Sequence, residues 1–152
     1  MEVIKYLEEA VKIEINASKL YFMFADHYKE DFNFWWEIAN EELNHAALLK
    51  TTIEFAELND LPEEIILNDI QELINLNLEF DKIIESFKSN PSRQSCFEIA
   101  LIIESSVGES HYQEIMSGHT DNEVIKIFQH LNREDVNHFE RITDYYNIIK
   151  TL

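Results

Sequence analysis

Two short patterns in the sequence are suited to chemistry: Glu42-Leu43-Asn44-His45 and Asp135-Val136-Asn137-His138, each an acid followed three residues later by a histidine. On a helix, side chains three apart leave from one face, close enough to share one metal ion or to serve adjacent ions. A lone glutamate precedes each pair, Glu14 in the first half of the chain and Glu104 in the second. The six residues amount to four carboxylates and two imidazoles. Such a mixed oxygen and nitrogen set suits iron, manganese or zinc, and the absence of thiolates argues against a structural zinc site.

A single acid-x-x-His is common on charged helix surfaces, so these pairs gain meaning only from their positions. The first helical pattern runs over about residues 2–29, with Ile4, Leu7, Val11, Glu14, Ser18, Tyr21, Ala25 and Tyr28 at alternating steps of three and four. The second, with Asp31 as its expected N-cap, carries Trp35, Ile38, Glu42, His45, Leu49, Thr52 and Ala56 and ends near Leu58. A third follows an Asn90 cap, starts at Pro91, runs through Phe97, Leu101, Glu104, Gly108, His111 and Ile115, and stops at Gly118. In the fourth, capped by Thr120 or Asp121, the seam reads Phe128, Leu131, Asp135, His138, Ile142, Tyr145 and Ile149. All six candidate ligands therefore fall on seams otherwise held by large apolar residues.

Breaks at Asn59-Asp60-Leu61-Pro62 and Ser89-Asn90-Pro91 bracket a weaker amphipathic helix over Ile70–Phe87. Two short loops and one long crossover between the second and third bundle helices follow. The halves also repeat. Glu14 and Glu104 are each followed eight residues later by an aromatic and four residues later by a small residue, Ser18 or Gly108. Glu41-Glu42-Leu43-Asn44-His45 parallels Glu134-Asp135-Val136-Asn137-His138.

Four uncompensated carboxylates inside an apolar interior would cost several kcal/mol each and drive their own pKa values up, whereas two divalent cations cancel four negative charges. A metal pair is the economical explanation. The small residues Ser18 and Gly108 would leave space beside it for oxygen or peroxide. Tyr21 and Tyr112 either reach across the bundle to orient a ligand carboxylate or pack in the core with their hydroxyls satisfied. His111 lies two turns beyond Glu104, too far to share its ion, and reads as a core or access-channel histidine. His27, His119 and His130 read as solvated residues off the seams, and Glu8-Glu9 and Glu63-Glu64 as solvated helix faces.

The bulk of the sequence agrees with this picture. Its 152 residues suit one domain, 1–152, and 45% apolar residues can fill a core. Only two glycines and two prolines leave almost no turn chemistry for a β-rich fold, so long helices are expected. Thirty acidic against twelve basic residues give a net charge of −18, which repels nucleic acid and anionic membrane but draws in small cations. One cysteine, Cys96, cannot form an internal disulfide, and no secretory or membrane-spanning apolar run is apparent. A cytoplasmic protein is expected, with Cys96 as a small core residue.

With these residues in view, the chain resembles the rubrerythrin and ferritin-like di-iron carboxylate superfamily over its whole length apart from the crossover. The most specific matches are Glu14 with the Tyr21-Phe22 pair after it, Glu41-Glu42-Leu43-Asn44-His45, and Ile99-Ala100-Leu101-Ile102-Ile103-Glu104. The resemblance implies an all-α, ferritin-like four-helix bundle whose long crossover between helices 2 and 3 contains a short extra helix. It also implies two iron ions, with Glu42 and Asp135 bridging, Glu14 and Glu104 terminal, and His45 and His138 each binding one ion. The activity implied is oxidation of Fe(II) by oxygen or peroxide, and relatives pair into homodimers.

Three departures narrow that expectation. Asp135 stands where the superfamily usually has glutamate, and one methylene less draws the carboxylate back about 1.5 Å, so that bridging is lost or Glu134 contributes instead. Val107 occupies the place where peroxide-reducing rubrerythrins carry an extra carboxylate. No rubredoxin-like cysteine domain accompanies the helices, so redox cycling would need an external electron donor. The alternatives are a non-catalytic protein that binds or buffers iron or another divalent metal, and a bundle with a degenerate site kept for partner binding.

Overall fold

In a computed structural model, the structure describes residues 2–59, 69–89, 91–110 and 118–152, with side chains from 107 to 110 excepted. Helices account for the regular structure, and no β-strand occurs among the described residues. They are α1 (Glu2–His27), α2 (Phe32–Leu58), α3 (Ile70–Phe87), α4 (Arg93–Ser110) and α5 (Glu123–Lys150), with one 3-10 turn, Lys29–Asp31, between α1 and α2. The chain divides into two compact units, Met1–Asn90 and Pro91–Leu152.

In the first unit, α1 is the central element and packs against both α2 and α3. That double contact explains why its buried face is wide, taking in Tyr6, Leu7, Ala10, Ile13, Glu14, Ala17, Leu20, Tyr21 and Phe24. The turn into α2 is closed by the Asp31 amide donating to the Tyr28 carbonyl at 3.0 Å. Asp31 does stand at the N-cap position, but its side chain makes no cap bond to α2; it is buried, 1% exposed, instead. Trp35, fully buried, stacks on Tyr21 at 5.5 Å and meets Phe24 edge-on at 5.1 Å. These rings are the largest apolar mass of the hairpin, two turns from the candidate ligands on each helix.

Helix α3 has the bounds that its periodicity predicts. Asp69 caps it by accepting from the Gln71 amide at 3.0 Å. Leu73, Asn77, Phe80 and Phe87 form its buried face. Asn77 fastens it to α1, donating to the Glu9 carbonyl at 3.1 Å and the Glu9 carboxylate at 2.9 Å while accepting from Asn16 Nδ2 at 3.1 Å.

In the second unit α4 packs on α5. Ser92 caps α4, its hydroxyl accepting from the Ser95 amide at 3.1 Å, so Pro91 lies ahead of the helix rather than in its first turn. Asn122, not Thr120 or Asp121, caps α5, accepting from the amides of Val124 at 3.0 Å and Ile125 at 3.2 Å. Thr120 accepts from the Asn122 amide at 3.1 Å and so steadies the cap. The buried face of α5 reads Val124, Phe128, Leu131, Asp135, His138, Ile142 and Tyr146. Tyr146 replaces the expected Tyr145 because a straight helix drifts against a strict seven-residue repeat. Its ring lies parallel to Phe97 at 5.1 Å, and its hydroxyl donates to Glu98 at 3.3 Å. Cys96 is buried, as expected of a small core residue.

The crossover break at 60–62, Asn90, the surroundings of Val107 and Gly108, and His111, Tyr112 and Ile115 lie outside what is described. No helix among the described residues is long and apolar enough to cross a membrane.

Candidate metal centre

Each unit holds its own three candidate ligands, and every one is withdrawn from water. Glu14, Glu42 and His45 are 5%, 2% and 3% exposed, and Glu104, Asp135 and His138 are 3%, 3% and 0% exposed. Glu134, the alternative donor beside Asp135, is only half-buried, as is Glu41 at the equivalent place. One helical step of about 100° carries each of these side chains off the buried face that its neighbour shares.

In the first unit, Glu14 comes from the middle of α1 and the other two from adjacent turns of α2. His45 Nδ1 lies 2.9 Å from Glu42 Oε2 and 3.6 Å from Glu14 Oε2. The two helices are held at this level by Ser18, whose buried hydroxyl donates to the Ala39 carbonyl at 2.8 Å. Ser18 thus ties α1 closely to α2. Tyr21 is fully buried in the stack on Trp35.

The second unit repeats the arrangement. His138 Nδ1 on α5 lies 3.8 Å from Glu104 Oε2 on α4, matching the 3.6 Å between His45 and Glu14. In both halves the histidine nitrogen faces the lone glutamate of the neighbouring helix. The duplication in sequence is therefore also a duplication of local geometry.

Electrostatics in the first unit show what these groups do without a cation. Burial pushes the Glu14 carboxyl up to about 8, and the neighbouring Glu42 carboxylate adds to the rise, while the hydrogen bond from His45 opposes it. For His45 burial acts downward, but hydrogen bonds and charge from Glu14 and Glu42 outweigh it and hold the imidazole up at about 11. At neutral pH this leaves Glu14 protonated and His45 an imidazolium. Protons stand where a cation would otherwise balance the charge.

Donor spacing fits a metal. Ligand atoms about 2.0–2.2 Å from one ion lie roughly 3–3.5 Å from each other, and the separations of 2.9 and 3.6 Å in the first unit span that range. His27, His119 and His130 are exposed and take no part.

The chain matches no protein-family model, and no curated protein and no solved structure is significantly similar to it.

Proposed function

We propose that this chain is a di-metal carboxylate protein, most simply di-iron, in which Glu14, Glu42 and His45 supply one half of the centre and Glu104, Asp135 and His138 the other. The observation that carries this reading is the repeated triad: in two separate helix pairs, a lone glutamate faces the histidine of an acid-x-x-His pair, and all six side chains are buried. Burial of that much carboxylate is stable only with compensating positive charge, and divalent cations provide it. In this proposal α1, α2, α4 and α5 are the helices of a ferritin-like four-helix bundle, and α3 belongs to the crossover. The chain is then a relative of the rubrerythrins, cytoplasmic and paired as a homodimer.

An iron pair would supply one-electron steps between Fe(II) and Fe(III), with oxygen or peroxide as oxidant and an external donor as reductant. The chain's own contribution is to fix donor geometry through the Ser18 to Ala39 contact and to keep water out, since no ligand is more than 5% exposed. That same closure favours a second reading, a protein that binds or buffers iron or another divalent metal without turnover.

Metal analysis of protein purified without chelator, joined to anomalous diffraction at the iron, manganese and zinc edges, tests the centre. Two ions bound by the six named residues are expected. A metal-free protein that also refuses added Fe(II), Mn(II) and Zn(II) would overturn it. Peroxide-driven oxidation of the Fe(II)-loaded protein then separates oxidoreductase from buffer.

A further inference from the structure

Away from the triads, the first unit has a groove of about 480 Å³ between α1 and α3, within the size range of small-molecule sites. The amide tie between Asn16 and Asn77 lies in it, and Ile15, Ile74 and Leu78 supply its apolar lining. From that tie to the ring contact of Phe24 with Phe87 at 5.2 Å the residue numbers rise on both helices, so α1 and α3 run in the same direction. Lys19 and Asp81, three and four residues beyond the tie, therefore line one end of the groove at nearly the same level, about 4.5 and 6 Å along their helices. Glu9 and Lys12 line the other end.

The two ends differ in how their charges are answered. Lys12 pairs with Glu9, whose carboxylate also accepts from the Asn77 amide, so that end is already satisfied. Lys29, Lys82 and Lys88 are paired in the same way, each with an acid three residues earlier: Asp26, Glu79 and Glu85. Lys19 has Asn16 at that position, and Asp81 has no base three or four residues away on either side. Among the described residues, neither side chain makes an ion pair or hydrogen bond, and the Asn16 side-chain oxygen accepts no hydrogen bond. One cation and one anion thus face the same groove from two helices without meeting each other.

We propose that this end of the groove binds the zwitterion of a free amino acid with an apolar side chain. Its carboxylate is received by Lys19, its ammonium by Asp81 and the Asn16 side-chain oxygen, and its side chain lies along Ile15, Ile74 and Leu78. A ligand with a single charge would leave one of the two helices unanswered. A simple anion would also be repelled by the net charge of −18, whereas a zwitterion enters that field with no net charge. The site is independent of the di-metal reading, since none of the six candidate ligands lines the groove.

The test is titration of the full-length protein with L-leucine, followed through the backbone amide resonances in nuclear magnetic resonance. Saturable shifts confined to α1 and α3 are expected, with roughly millimolar affinity. Lys19→Gln and Asp81→Asn, both at exposed positions, should each weaken binding roughly 10–100-fold, the worth of one hydrogen bond to a charged group. Their ligand-free spectra check that the fold is kept. N-acetyl-leucine and leucine amide, each lacking one charge, should lose affinity to a similar extent, and glycine should bind more weakly than leucine. The proposal falls if millimolar leucine gives no saturable shift, if the two variants bind it as the parent chain does, or if a blocked analogue or glycine binds as well as leucine. None of these outcomes bears on metal uptake, which is measured separately.

Discussion

The triad of Glu14, Glu42 and His45 contains its own substitute for a cation. With Glu14 held up at about 8 and His45 at about 11, both keep their protons at pH 7. Coordination needs Glu14 ionised and a bare nitrogen on His45. A divalent ion therefore replaces two protons. The expected outcome is release of about two protons for the first ion bound at neutral pH, measured by calorimetry in buffers of differing ionisation enthalpy. Affinity for that ion should rise with pH up to about 8 and beyond, as Glu14 first and then His45 give up their protons. Proton release near zero would mean that the ion bypasses these two residues. The identity of the triad members was legible in the sequence because each lies on an apolar seam, and the same phase separates buried Asp135 from half-buried Glu134. The distances that join Glu14 to His45 were not legible, since they depend on how closely two helices approach.

At the level of elements, the hairpin of α1 and α2 and the helix α3 are fastened by different means. Ser18 holds α1 to α2 beside the candidate ligands, whereas Asn77, with Glu9 and Asn16, holds α3 to a different stripe of α1. Asn77 is 9% exposed, and both its amide protons and its oxygen are engaged. Replacing it with alanine removes its bonds to the Glu9 carbonyl and carboxylate and takes the Asn77 acceptor from an Asn16 proton at a part-buried contact, a loss of about 1–3 kcal/mol in denaturant unfolding. Metal stoichiometry should not change, because Glu14 and Asn16 leave α1 in directions about 200° apart. Altered stoichiometry in Asn77→Ala would show that α3 helps to shape the centre. Periodicity was enough to place α3 at its observed bounds. It could not choose among neighbouring capping residues: Thr120, Asp121 and Asn122 are each chemically able to cap, and the path of the chain into the helix decides that Asn122 does.

For the whole molecule, a net charge of −18 and buried acids push stability in the same direction as pH rises. Glu14 has a folded pKa raised above its ordinary 4.5, so its contribution to stability is complete below that value and is lost as pH climbs through about 8. His45, raised from 6.5, contributes fully below 6.5 and loses that contribution as pH passes through about 11. Acidic residues elsewhere add self-repulsion once ionised. In the presence of chelator the melting temperature should therefore fall as pH is raised between about 5 and 9. A divalent ion reverses the trend, because it binds the folded chain, prefers the deprotonated triad and neutralises buried charge. Added Mn(II) or Fe(II) should raise the melting temperature, and the rise should be larger at pH 8 than at pH 6. Glu42→Ala removes the carboxylate closest to His45, at 2.9 Å, and should abolish the metal-induced rise while the chelated protein still melts cooperatively. A variant that responds to metal as strongly as the parent chain would place the ion somewhere other than the buried triads.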